Sequence, residues 1–66
     1  MLSARNQFKG LVKSVILGNV MAEIIVQAGD LKIVSAITRS SAESMSLKEG
    51  DEVTAVIKST EVMIDK

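Results

Sequence analysis

Apolar residues recur at every second position over short stretches, and no other feature constrains the fold as much. Val20, Ala22, Ile24 and Val26 share one face, with Met21, Glu23, Ile25 and Gln27 on the other. Leu31, Ile33, Ser35 and Ile37 alternate with Lys32, Val34 and Ala36, and Val53, Ala55 and Ile57 with Thr54, Val56 and Lys58. In the first such stretch, Val12 and Ile16 alternate with Lys13 and Val15. Period two is the spacing of side chains on one face of a strand. The pattern predicts strands over residues 8–17, 20–27, 31–38 and 52–58. Gly18-Asn19 and Ala28-Gly29-Asp30 supply the turns, because these residues tolerate positive φ. Gly10, inside the first run, points to a bulge or bend.

The alternation breaks once. Ser40-Ser41-Ala42-Glu43 has capping-box spacing, with Ser40 as N-cap and Glu43 reaching back, and predicts a helix of one or two turns to Leu47. Lys48-Glu49-Gly50-Asp51 is the turn that follows. After a break at Ser59-Thr60, residues 61–64 read as a final short strand. Five strands with one small helix between the third and fourth match an all-β Greek-key barrel, the OB-fold. Residues 1–66 read as a single domain.

A chain of 66 residues buries little core and usually needs reinforcement. This one has no Cys for disulfides, and without Cys or His it has no ordinary zinc or haem site, so oligomerisation is the expected source. Eight basic residues balance eight acidic ones, and Phe8 is the single aromatic. Neither the basic excess nor the stacking platform of a nucleic-acid binder is present. No apolar run is long enough to span a membrane, and the start of the chain lacks the apolar core of a signal peptide. The carboxylates are scattered beside turns, and Lys58 and Ser59, as strand neighbours, point to opposite faces rather than forming a dyad. There is no glycine-rich phosphate loop. The chain reads as a non-enzyme without a cofactor.

One chemistry remains. Ser3-Ala4-Arg5-Asn6 precedes the first strand, and Lys58-Ser59-Thr60 follows the fourth. Each segment sets a cation beside small hydroxyl residues. Arg offers a rigid fork of donors, Lys a point charge, and hydroxyls complete a hydrogen-bonded shell around an oxygenated anion. Thr38 and Ser41 add hydroxyls near a helix N-terminus, whose free N–H groups favour anions. The rest of the chain reads as a scaffold that brings these segments together, within or between subunits. A structural or sensor module built on the same barrel is the alternative.

The chain resembles the molbindins, small cytoplasmic molybdate-binding proteins of the Mop family, whose domain recurs in molybdate-responsive regulators and transporter ATPases. The resemblance rests on Ser3-Ala4-Arg5-Asn6-Gln7, Gly10-Leu11-Val12, Gly18-Asn19-Val20 with Ala22-Glu23, Ala36-Ile37-Thr38 followed by Ser41, Leu47-Lys48-Glu49-Gly50, and Val56-Ile57-Lys58-Ser59-Thr60 with Val62-Met63. It implies a cytoplasmic hexamer, a trimer of dimers, that binds molybdate or tungstate between subunits, with the first strand exchanged between dimer partners. It further implies that Ser3, Arg5, Thr38, Ser41, Lys58 and Ser59 hold the oxyanion, with Ala4 and Asn6 contributing backbone or amide contacts. A second site type would use Gly18, Asn19, Val20 and Ala22. One departure stands out: Met45-Ser46-Leu47 occupies the place of the family's Leu-Gly-Leu.

Overall fold

The computed structural model describes residues 4–66. Ser3 lies outside the described residues. Four strands, β1 (Asn6–Leu17), β2 (Met21–Ala28), β3 (Leu31–Thr38) and β4 (Glu52–Ile57), form one antiparallel sheet in the order β3-β2-β1-β4. A six-residue helix, α1 (Arg39–Ser44), joins β3 to β4. The class is the expected one, mostly β with a short helix between the third and fourth strands.

β1 has 12 residues, about 40 Å if fully extended. A bulge in its second half bends it. Its first half, Asn6–Leu11, pairs with β4, and its second half, Leu11–Leu17, pairs with β2. Leu11 is the changeover, opposite Glu52 on one side and Gln27 on the other. The crossing brings backbone close to backbone. A Cβ at Gly10 would lie 2.4 Å from the Gln27 carbonyl oxygen, so only glycine fits. The bulge itself lies further on: the register jumps between Val12 and Ser14, leaving Lys13 as the extra residue. A bulge shifts the alternation by one. Val12 is therefore buried and Val15 packs against the core, whereas Ile16 is exposed, correcting the expectation that Val12 and Ile16 share a face.

The core is small. Val12, Ala22, Ile24, Val26 and Ala42 are its buried residues, flanked by Val15, Ile33, Ile37, Leu47, Val53 and Ala55. On β2, β3 and β4 the inward residues are those the alternation assigns, apart from Val20 and Leu31 at strand ends, which are exposed.

Two local expectations change. The helix begins one residue after Thr38, which is the N-cap: its Oγ1 accepts from the Ser41 N–H at 3.1 Å. Ser40 is not the cap, and Glu43 reaches Arg39 across one turn at 3.5 Å instead of returning to the N-terminus. The helix also ends earlier than Leu47. Met45 is the C-cap, and Ser46 takes a left-handed φ of 51°. The local backbone thus keeps the conformation a glycine adopts freely, while Ser46 carries a Cβ there. The fifth strand does not form. Ser59–Glu61 is a single 3-10 turn, and residues 62–66 leave it without pairing to any described strand. The turn redirects the chain away from the ladder of β4.

Three substitutions check these assignments by thermal or urea unfolding. Gly10→Ala is expected to destabilise by about 1–3 kcal/mol through overpacking against the Gln27 carbonyl. Thr38→Ala is expected to cost about 1 kcal/mol and Ser40→Ala much less, whereas a Ser40 cap would reverse that order. Ser46→Gly is expected to stabilise by about 1 kcal/mol by relieving the left-handed Cβ.

Candidate functional site

The β1–β4 register determines how the two cation-hydroxyl segments meet. Asn6 pairs with Ile57, Gln7 with Val56 and Phe8 with Ala55. One step beyond Asn6 on one strand is Arg5, and one step beyond Ile57 on the other is Lys58, so the register places them opposite each other. Both are exposed. Among the described residues neither has a carboxylate partner, since the one ion pair found joins Arg39 to Glu43. Like charges placed opposite repel by a few tenths to about 1 kcal/mol. An anion seated between them removes that repulsion. Ser59 begins the 3-10 turn beside Lys58, and the turn is closed by the Glu61 N–H on the Lys58 carbonyl at 2.9 Å. On the β1 side, the Gln7 side-chain amide donates to the Ala4 carbonyl at 3.0 Å. This bond holds the stretch containing Arg5 against the strand start. Gln7 was not among the expected site residues, although the alternation already places it on the exposed face with Lys9. Asn6 is half-buried in the ladder.

Thr38 and Ser41 sit elsewhere. Thr38 ends β3 opposite Met21, level with the far end of β1. Its Oγ1 accepts from the Ser41 N–H and donates to Ser41 Oγ at 2.8 Å. The Ser41 N–H is therefore taken internally, and α1 is too short for a substantial dipole. What this corner offers an anion is hydroxyl protons, chiefly that of Ser41. The segment Gly18–Ala22 adjoins the same corner. The Arg39 N–H donates to the Val20 carbonyl at 2.7 Å, and Arg39 Nη1 donates to the Gly18 carbonyl at 3.2 Å. Arg39, which sequence reasoning passed over, thus ties the β1–β2 hairpin to the helix. Gly18, Asn19 and Val20 are exposed. Ala22 is buried at 2% and paired on both sides, to Leu17 and Ile37, so its side chain faces the core.

The fold thus sorts the candidates into two poles. Ala4, Arg5, Asn6, Lys58 and Ser59 gather where β1 begins. Thr38, Ser41, Gly18, Asn19 and Val20 gather where it ends. Nearly the whole length of β1 separates them, and no hydrogen bond among the described residues links the two groups. One copy of the chain does not bring the described members of the set together.

A family model for the TOBE domain matches residues 2–64. The chain belongs to the TOBE domain family. Molybdenum-pterin-binding protein 3 of Clostridium pasteurianum is 53% identical over 64 residues, covering 96% of this chain and 94% of its own. The molybdenum transport protein ModE of Azotobacter vinelandii is 41% identical over 63 residues, and the match takes up 23% of its length. This TOBE domain is also similar to solved structures. A molybdate binding protein from Sporomusa ovata superposes with a TM-score of 0.94 at 38% identity, covering 100% of this chain and 98% of the other. MopII from Clostridium pasteurianum gives 0.92 at 48% identity, with both chains fully covered. The relatives are binding proteins, in keeping with the reading that this chain is not an enzyme.

The opposed cations of this TOBE domain make a checkable contribution to its stability. Lys58→Glu replaces a like-charge pair with an opposite-charge one. Without added oxyanion, it is expected to melt at or slightly above the parent temperature. A clear drop in melting temperature would mean that Arg5 and Lys58 do not face one another.

Proposed function

We propose that this TOBE domain binds molybdate, and by the same chemistry tungstate, between copies of itself. In this reading Arg5, Lys58 and Ser59 of one copy meet Thr38 and Ser41 of another, with Ser3, Ala4 and Asn6 completing the first pole. The observation that carries it is the separation of the two poles along β1, together with the opposed, carboxylate-free cations at one of them. The names of the relatives, which bind molybdate or molybdenum-pterin, agree with it. The physical fit is direct. Molybdate already carries four oxygens on its metal, so the protein supplies donors rather than ligands. Two cations balance the dianion and lower the cost of taking it out of water. Twelve large apolar side chains are exposed against five buried residues among those described, which suits a chain that covers its faces by assembling. The assembly proposed is a hexamer, a trimer of dimers, serving molybdenum storage or homeostasis in the cytoplasm. Gly18, Asn19 and Val20 are proposed for a second site type, with Ala22 anchoring in the sheet the hairpin that presents them.

Titration calorimetry with molybdate, using sulfate as control and recording the mass of the assembly, tests the reading. Saturable heat with molybdate on an oligomer is the expected result; no heat on a folded oligomer would leave a structural module. Arg5→Ala or Lys58→Ala is expected to weaken binding about 10- to 100-fold, the loss of a charge-assisted hydrogen bond. Mixing Lys58→Ala chains with Thr38→Ala chains is expected to restore about a quarter of the sites, those that draw an intact pole from each parent. No restoration would place both poles on one copy.

A further inference from the structure

The β1–β2 turn is closed by one bond. The Gly18 N–H donates to the Met21 carbonyl at 2.8 Å. A hydrogen-bonded pair across an antiparallel hairpin exchanges two bonds. Here the return bond, from the Met21 N–H to the Gly18 carbonyl, does not form among the described residues. The Gly18 carbonyl accepts from Arg39 Nη1 at 3.2 Å instead. Further along the turn, the Val20 carbonyl accepts from the Arg39 backbone N–H at 2.7 Å. A single residue of α1 therefore draws two carbonyls of the turn to its own side. The approach is tight: a Cβ at Gly18 would lie 2.8 Å from the Met21 carbonyl oxygen.

What faces outward follows from the peptide bond. No described peptide is cis, and in a trans peptide the N–H points opposite to the C=O. The Gly18 carbonyl shares its peptide plane with the Asn19 N–H, and the Val20 carbonyl with the Met21 N–H. Both N–H groups thus point away from Arg39. Neither they nor the Val20 N–H between them find an acceptor in the turn, and all three residues are exposed. Arg39 also brings a charge. Glu43 holds its Nε at 3.5 Å, which steers the guanidinium while Nη1 reaches the turn. A cation bonded to a carbonyl polarises the whole peptide, so the N–H at the other end becomes a stronger donor.

We propose, resting on the second site type assigned above, that Arg39 is the residue that positions the β1–β2 turn for a tetrahedral oxyanion. It turns the Gly18 and Val20 carbonyls inward, leaves the N–H groups of Asn19, Val20 and Met21 outward, and strengthens the Asn19 donor through the shared peptide. Arg39 lies behind the turn and does not touch the anion. The binding groups are backbone alone, so side-chain chemistry at the turn does not reveal them.

Amide NMR of isotope-labelled protein, titrated with molybdate, tests this on the parent and on Arg39→Met, Arg39→Gln and Arg39→Lys. Without ligand, Arg39→Met is expected to move the Asn19 amide nitrogen upfield, since that nitrogen reports the bond on the Gly18 carbonyl. With molybdate, the Asn19, Val20 and Met21 amide protons of the parent are expected to move downfield together. In Arg39→Met the midpoint of that movement is expected to rise about 3- to 10-fold, while the midpoint at Lys58 and Ser59 stays. Arg39→Lys, which keeps a cation near the carbonyl, is expected to recover most of the loss. An unchanged midpoint at the turn in Arg39→Met overturns the proposal, as does an Arg39→Lys chain no better than Arg39→Met. A parent whose Lys58 and Ser59 amides respond while the turn stays silent overturns it and leaves the first site standing. Silence at every amide overturns the molybdate reading as well. Should Arg39→Met fail to fold, Arg39→Gln, a neutral donor, carries the same comparison.

Discussion

The crossing of β1 between two partners is the constraint on which the rest of the molecule depends. Six residues of it belong to the ladder with β4 and the following ones to the ladder with β2, and the exchange happens at Leu11. Gly10 lets the Gln27 carbonyl come close enough for both ladders to share one strand. Lys13 then slips the register, so that Val12 and Val15, three positions apart, both turn inward. The bend, added to the ordinary twist of a sheet, brings β3 and β4 to line a common groove. The two halves of β1 also fix where each end of the chain's polar chemistry goes: Arg5 to Lys58 at the start, Thr38 to the β1–β2 hairpin at the finish.

This division gives the molecule its character. A larger domain assembles a binding site by folding its own loops together. Here the core is five residues, and the polar groups suited to an oxyanion stand at opposite ends of the longest strand. Under the proposed function, hydrophobic burial and ligand chemistry are both served by a second copy. If the proposed site between copies holds, a ligand bound there would strengthen the assembly by mass action, and the assembly would in turn raise its affinity.

Much of the fold was legible because alternation is a direct imprint of the pleat. The inward residues of β2 and β4 follow from it without correction except at the strand start, at Val20. The bulge was less visible, although Val12 and Val15 cannot both satisfy a period of two, and that mismatch was the available signal. The helix start was misplaced because Ser40 and Glu43 have capping spacing, while Thr38 at the strand end caps equally well and Arg39 claims Glu43. Residues 61–64 look like a strand, but composition is silent on whether a partner edge is within reach of the turn that precedes them. The candidate site was legible as a set of residue types. Its division into poles was not, since it depends on which strands pair and on a register that no local motif encodes.

The wiring of the β3–α1 corner has a consequence for selectivity. A backbone N–H donates to Thr38 Oγ1, and Thr38 donates to Ser41 Oγ, so the proton of Ser41 is the one left to point outward. The cations of the other pole, Arg5 and Lys58, have protons to give and no lone pair to offer. In the proposed site, an ion whose oxygens are all bare would need donors alone. The hydroxyl of hydrogen phosphate would have to find an acceptor among the serine oxygens and the Asn6 amide oxygen, while a fully deprotonated tetrahedral dianion would not. Discrimination of this sort acts on the acidity of the guest rather than on its radius, and it needs no side chain devoted to rejection.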